Sequence, residues 1–336
     1  MKMPAAERET LLGILEKFPR QKVVLLGDLV ADEFVHGEIA RVSREAPVLI
    51  LKQRSKQILP GGGANAASNI ASLGATVLPV GIVGDDEAGE GLLQCFRERG
   101  ITTRHILRLR GHVTPTKSRI LGGLSHWQRQ QIVRIDREPP QPPGVAFRRR
   151  LAVTAARLLG QSSGLLVSDY GYGTTSAREV TALRRKLRKH IPVTVDSRFD
   201  LLTYSHVTAA TPNEPEVEEA IGRKIGANQK LLHETGRRLL RRMALEALVV
   251  TRGKDGMVLF EPRTAPRHLP VFGSDQAVDV TGAGDTVIAA FTLALAAGAN
   301  PLQAAQIANC AGGLVVMKRG TATVSQRELQ EAIRNA

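Results

Sequence analysis

The sequence predicts an α/β fold: a mostly parallel central sheet covered by helices on both faces, carrying a small β-lid. Three observations predict it. Short apolar runs end in polar residues, helical stretches with glycine stops separate those runs, and two inserts alternate apolar and polar residues instead. The chain has 336 residues, a length that suits one large domain with an appendage.

In chain order, residues 1–20 read as an N-terminal helix. Glu7, Glu9 and Glu16 among its apolar residues suit a surface helix and not a secretory signal, so a cytoplasmic protein is expected. Residues 21–336 read as the main domain. "KVVLLGD" (Lys22–Asp28) is a buried parallel strand, "ANAASNIASLGA" (Ala64–Ala75) a helix with a glycine stop, and "TVLPVGIVGDD" (Thr76–Asp86) a second buried strand. "GLLVSDYG" (Gly164–Gly171), "IPVTVDS" (Ile191–Ser197) and "ALEALVVTRG" (Ala244–Gly253) are further strands. The inserts at about 34–54 and 112–136 have the period of hairpins, and their strands can pair into a lid; the Pro-rich "REPPQPPG" (Arg137–Gly144) ends the second. Ligands of such sheets bind beyond the carboxyl ends of the strands, where Asp28, Asp85, Asp169, Asp196 and Arg252 lie.

Composition narrows the function. The formal net charge is +14, yet the basic clusters at 148–150, 183–190 and 236–243 have helical spacing and read as solvated faces. One Trp, three Tyr and eight Phe leave few stacking platforms, so no nucleic-acid partner is expected; the charge suits small anionic substrates. The longest apolar run, Val287–Ala299, is shorter than the ~18 residues of a membrane span, so no membrane partner is expected either. Cys95 and Cys310 are too few for a disulfide framework or a zinc site.

Three stretches carry chemistry. In "DVTGAGD", glycines precede a helix whose first N–H groups are unpaired, so Gly282, Ala283 and Gly284 can cradle an anion. Asp285 beside that cradle is either a helix cap or a base that takes a proton from an attacking hydroxyl. "LPGGGANAASN" is a second glycine-rich entry to a helix: a tight turn, or a polyol site using Gly62, Gly63 and Asn65. In "TPNEPE", Asn213 and Glu216 stand one helical turn apart, as a cap or as ligands of a metal-water shell. The P-loop, the G-x-G-x-x-G fingerprint and H-E-x-x-H are all absent.

These stretches, in this order, resemble the ribokinase-like (PfkB) family of sugar kinases over nearly the whole chain. The early anchor is "GGGANAASNIASLGATVLPVGIVGDDEAGEGL" and the late one "DVTGAGDTVIAAF", with "TPNEPE" and "VTRGKDG" between. "GDLVADEFVHGEIARVSREAPV", "TPTKSRIL", "LVSDYGYG" and "KRGTATVS" make it most similar to the kinase domains that phosphorylate D-glycero-D-manno-heptose 7-phosphate at C1, on the route to ADP-heptose and lipopolysaccharide. The resemblance implies a three-layer α/β/α fold, ATP and Mg²⁺ as cofactors with K⁺ as a candidate monovalent cation, and a sugar phosphate as substrate; exposed strand edges in the lid point to a homodimer formed through it. The resemblance implies a kinase without the adenylyltransferase domain that follows in many such enzymes.

It also implies roles. Asp285 is the base, and Gly282, Ala283 and Gly284 hold the transferring group; Asp28, Gly62, Gly63, Asn65 and Asp169 belong with the sugar. Arg41, Lys117, Arg119 and Arg134 are lid cations for the far phosphate. Asn213, Thr251, Gly253, Asn309, Lys318 and Gly320 belong with ATP, Asn213 and Glu216 with Mg²⁺, and Asp279 with a monovalent cation. The chain departs from the heptose-kinase pattern at Ala40 and Arg44, where Ser and Pro are usual, and at Asp196-Ser197-Arg198, where Asp-Pro-Lys is usual. The alternatives are a kinase for fructose phosphate, ribose or a nucleoside, and a basic nucleic-acid-binding protein that keeps the fold without turnover.

Overall fold

The computed structural model describes residues 3–123, 130–187, 190–274 and 276–336. After α1 (Ala5–Leu15) the main sheet begins at β1 (Lys22–Gly27). Val23 and Leu25 join one buried layer while Val24 and Leu26 join the other, which is why the whole run is apolar. The chain then leaves the sheet for the lid: β2 (Leu29–Val42) pairs antiparallel with β3 (Leu49–Gly62), which returns into α2 (Gly63–Ser72). This pair extends past 34–54 at both ends. Leu29, Val30, Ala31 and Pro60 are buried, so the lid strands start and finish inside the core, where no alternation marks them.

β4 (Thr76–Gly84), α3 (Glu87–Glu98) and β5 (Ile106–Leu109) extend one flank of the sheet. β6 (Thr116–Gly123) and β7 (Gln130–Arg137) complete a four-stranded lid in the order β3-β2-β6-β7; part of the expected second insert, 124–129, lies outside the described residues. α4 (Val145–Leu159), β8 (Gly164–Asp169), α5 (Ala177–Lys186) and β9 (Val193–Ser197) follow, then β10 (Ala209–Ala210), α6 (Glu214–Ile221), α7 (Gln229–Arg242) and β11 (Ala247–Thr251). An antiparallel extension, β12 (Met257–Phe260) and β13 (Arg267–Leu269), precedes α8 (Ala283–Ala296), α9 (Pro301–Val315) and α10 (Gln326–Arg334).

The resulting sheet has nine strands, β13-β12-β11-β10-β9-β8-β1-β4-β5, parallel except at the β12–β13 end. Helices α1, α2, α3, α8, α9 and α10 bury their apolar faces on one side, and α4, α5, α6 and α7 on the other. Nothing in the sequence reading anticipated the terminal antiparallel pair: four-residue β12 is wholly buried and lacks alternation. No helix among the described residues is long and apolar enough to cross a membrane. Cys310 is buried, Cys95 half-buried, and both are free thiols.

Candidate active site

Three glycine-bearing turns meet beyond the carboxyl ends of the strands: 61–63 into α2, 170–174 after β8, and 280–284 into α8. Gly282 caps α8 with φ +76°, and a Cβ there would run into the Asn65 amide. The N–H of Ala283 is turned back onto the Val280 carbonyl, 3.2 Å away. Those of Gly284 and Asp285 find no acceptor among the described residues, so the helix start presents free donors.

Asp285 is 3% exposed and lines a cavity of about 400 Å³. Its Oδ2 accepts from Asn65 Nδ2 at 2.9 Å and its Oδ1 from the Tyr170 hydroxyl at 2.8 Å. Asn65 is held in turn by Asn69 Nδ2, and Thr286 donates to Asn69 Oδ1, so α2 and α8 are cross-braced beneath the carboxylate. Burial lifts the Asp285 carboxyl to about 7, with Asp196 and Asp32 adding repulsion, against the lowering donors Asn65 and Tyr170.

The lid contributes cations. Arg119 pairs with Asp32 at 2.6 Å, both nearly buried, and lies over the Phe34 ring. Lys117 stands 4.9 Å from the centre of the Tyr170 ring and lines the cavity with Arg198. Burial first, and then Arg198, push the Lys117 ammonium below its ordinary value. Among the described residues, neither Lys117 nor Arg198 has an ion-pair partner. Opposite them Asp196 is pushed upward by burial and then by the charges of Glu216 and Asp169, and Glu216 by burial and then by Glu219, against the lowering effect of Asn213 and Arg198.

The cavity gathers many of the residues marked by the sequence: Gly62, Lys117, Arg119, Asp169, Asn213, Glu216, Thr251 and Gly282–Asp285. Asn213 and Glu216 form a capping box, each side chain 2.9 Å from the other's N–H, and still face the cavity. Asp169 is fully engaged, accepting from the N–H of Gly171 and the hydroxyls of Ser197 and Tyr204. A second cavity of about 290 Å³, lined by Thr251, Gly253, Asn309 and apolar residues, shares Thr251, Val280, Ala283 and Gly284 with the first.

Other marked residues lie elsewhere. Asp28 does not face the cavity: its carboxylate accepts from the N–H groups of Tyr170, Tyr172 and Thr174 and so fixes the loop behind the site. Gly63 packs on the Asp28 carbonyl, and Asn65 does not line the cavity itself but donates to two residues that do, the Asp285 carboxylate and the Gly282 carbonyl. Arg41 is exposed at the outer end of β2, and Arg134 is paired with Asp136, two positions along the same strand. Lys318 turns away to Glu328 and the Thr323 carbonyl. Asp279 accepts from the N–H groups of Thr281 and Gly320 and stands apart from the Asn213–Glu216 pair. Despite partial burial, those donors hold its carboxyl below the ordinary range.

Asp32, Tyr170, Asp196 and Arg198 also line the cavity; the sequence reading gave none of them a role, noting Asp196 as a strand end and Asp196-Ser197-Arg198 as the departure from Asp-Pro-Lys. Asp32 and Arg198 carried a signal. Each is charged and sits beside a chain segment that leaves a buried strand at the sheet's carboxyl edge.

Residues 21–328 match the profile of the pfkB family carbohydrate kinases. The bifunctional protein HldE of Mesorhizobium japonicum is 38% identical over 329 residues, 97% of this chain and 64% of that protein. HldE of Pelobacter propionicus is 35% identical, over 97% of this chain and 66% of its own length. The chain thus spans slightly less than two thirds of these curated relatives. Among solved structures, Arabidopsis thaliana ribokinase complexed with ribose and ATP superposes with a TM-score of 0.72 at 19% identity, covering 94% of this chain and 98% of that one. Escherichia coli phosphofructokinase-2 in complex with substrates and products gives 0.72 at 17% identity, covering 94% and 99%. The expected ribokinase-like α/β fold is the one found, and the chain belongs to the pfkB family of carbohydrate kinases, phosphotransferases that act on a sugar hydroxyl.

Proposed function

We propose that the chain transfers the γ-phosphate of ATP to C1 of D-glycero-D-manno-heptose 7-phosphate, giving the 1,7-bisphosphate. One observation carries the reading: a buried carboxylate, Asp285, lies beside free helix-start N–H groups in a cavity that also holds two cations, Lys117 and Arg198, with no ion-pair partner among the described residues. Unpaired like charges in a half-buried site repel, and a doubly charged phosphate relieves that repulsion. A free sugar or a nucleoside offers them nothing. The 35–38% identity to HldE proteins supports the same substrate class.

The residues divide the work. Asp285 accepts the proton of the attacking hydroxyl, Oδ1 and Oδ2 being held by Tyr170 and Asn65. The Gly284 and Asp285 N–H groups hold the transferring phosphoryl group. Lys117 and Arg198 hold the far phosphate, and Arg119, fixed by Asp32, closes the lid side. The second cavity, with Val271, Val287 and Val316 on its walls and Asn309 at its edge, suits an adenine. Transfer then takes place at the wall that the two cavities share.

The donors at the site fit a hydrated Mg²⁺. Asn213, Asp196 and Glu216 are hard oxygen donors facing the cavity, while no cluster of three metal ligands exists among the described residues. Mg²⁺ keeps most of its waters and binds through one or two carboxylates plus phosphates. Bound there, it neutralises charge on the phosphate oxygens. Asp279, held ionised by two N–H donors, is the proposed neighbour of a monovalent cation such as K⁺. The lid exposes Val42, Val48, Val133 and Ile135, each about half accessible, and we propose that a second copy covers this face in a homodimer.

A panel of free and phosphorylated sugars with ATP and Mg²⁺, read by ADP release, tests the reading. Heptose 7-phosphate is expected to turn over fastest. An inert heptose 7-phosphate beside rapid turnover of another sugar would overturn the substrate assignment.

A further inference from the structure

We propose that Tyr170 is a positioning residue for phosphoryl transfer: its hydroxyl fixes the Asp285 carboxylate, and its ring ties that carboxylate to the β-lid. The inference rests on the reading of Asp285 as base.

Tyr170 is the residue after β8. Its N–H is held by the Asp28 carboxylate at 2.8 Å, which anchors the side chain at its root. Its hydroxyl donates to Asp285 Oδ1 at 2.8 Å, 115 positions along the chain. The ring is clamped by both halves of the lid. Lys117 of β6 stands 4.9 Å from its centre, and a Cβ on Gly62, the last residue of β3, would lie 3.1 Å from Cε2. Gly62 has φ +51°, so the close approach and the backbone turn both favour glycine there. Tyr170 is therefore in contact with the base and with two lid strands, and it forms part of the wall between the active cavity and a neighbouring one of about 310 Å³.

Packing alone would be served as well by phenylalanine. The hydroxyl adds a donor to a buried carboxylate whose second oxygen is already taken by Asn65. Two donors from different elements define the plane of the carboxylate, and a donor to an ionised group favours the ionised form. The groups facing Asp285 are Asn65 from α2, Tyr170, Asp196 from β9, Asp32 from β2 and Lys117 from β6. Burial and the two acids favour protonation, while Asn65, Tyr170 and the Lys117 charge oppose it. Tyr170→Phe removes one opposing donor and leaves the rest.

The experiment is the pH dependence of kcat for Tyr170→Phe in the full chain, with saturating ATP and the sugar phosphate identified by the panel. A hydrogen bond to a charged group is worth about one pH unit, so the acidic midpoint is expected to rise by about that much. Turnover near neutrality then falls by up to about tenfold and largely returns about two units higher, with KM for ATP unchanged. An unmoved midpoint would overturn the proposal, whether activity stays full or falls equally at every pH.

If the variant does not fold, the wild type supplies the test. With three tyrosines in the chain, the Cζ resonance of Tyr170 is expected to titrate with the acidic limb of activity and to lose that titration in Asp285→Asn. A wild-type protein in which no tyrosine follows that limb overturns it too. Asp285→Asn separates the two readings: normal turnover removes the base assignment, whereas an inactive variant beside an unmoved Tyr170→Phe midpoint removes only the role of Tyr170.

Discussion

Asn65 Nδ2 donates to Asp285 Oδ2 at 2.9 Å across 220 positions of chain, joining the first turns of α2 and α8. Each of these helices is entered through a glycine-rich turn, and the two turns bring Asn65 and Asp285 together, the carboxylate lining the cavity and the amide buried behind it. Gly282 must lack a side chain because Asn65 occupies the space its Cβ would take. The two glycine motifs are thus halves of one construction, with a desolvated carboxylate at the seam.

That desolvation sets a pH dependence. A base must be ionised, and burial holds the Asp285 carboxyl at about 7. The kcat/KM of the free enzyme is expected to fall about tenfold per unit as pH drops below that value and to level off above it. A profile flat down to about pH 5 would contradict this placement.

The same shift has a stability consequence. The folded value is about 7 against an ordinary 3.8, so between the two the folded chain binds the proton more tightly. Its contribution is fully present below the lower value and lost as pH rises through the upper one. Asp285→Asn removes this linkage, so its stability relative to the parent chain is expected to rise by roughly 4 kcal/mol between pH 4 and pH 8. Unfolding in urea at the two pH values measures it.

Under the proposed function, Arg198 and Lys117 carry the discrimination between phosphorylated and free sugars. Arg198→Ala is expected to lower kcat/KM for the sugar phosphate by about 100-fold, mostly through KM, and to leave KM for ATP unchanged. Steady-state kinetics on both substrates check it, and an equal loss with an unphosphorylated sugar would argue against phosphate contact.

Asp28 is read from the structure as an anchor of the loop behind the site. Its carboxylate satisfies three N–H groups of the 170–174 loop. Asp28→Ala leaves those donors buried and unpaired, and a loss of about 3 kcal/mol in chemical unfolding is expected. A variant of normal stability with a raised KM for the sugar would instead restore Asp28 as a substrate ligand.

The sheet core, the helix pattern and the two glycine motifs were legible because burial on both faces and tight turns leave local signatures. Gly62, Gly282 and Asp285 show this, each forced by its immediate neighbours in sequence and in space. Tyr170 was not legible, because its contacts are made across distant elements, and Arg198 was marked only as a departure from the heptose-kinase pattern. A tyrosine after a strand reads as packing until its hydroxyl is seen on Asp285. Asp28 was ambiguous for the same reason. A strand-end carboxylate can face a ligand or a neighbouring loop, and only the backbone of 170–174 decides between them.

The central claim is that Asp285 takes the proton of the attacking hydroxyl. The most direct measurement is single-turnover phosphoryl transfer by folded Asp285→Asn with ATP, Mg²⁺ and heptose 7-phosphate, alongside its ATP affinity. A positioned base is worth about 10²–10⁴-fold, so turnover about three orders of magnitude below wild type with unchanged ATP binding is the expected result. Near-normal transfer by that variant would contradict it.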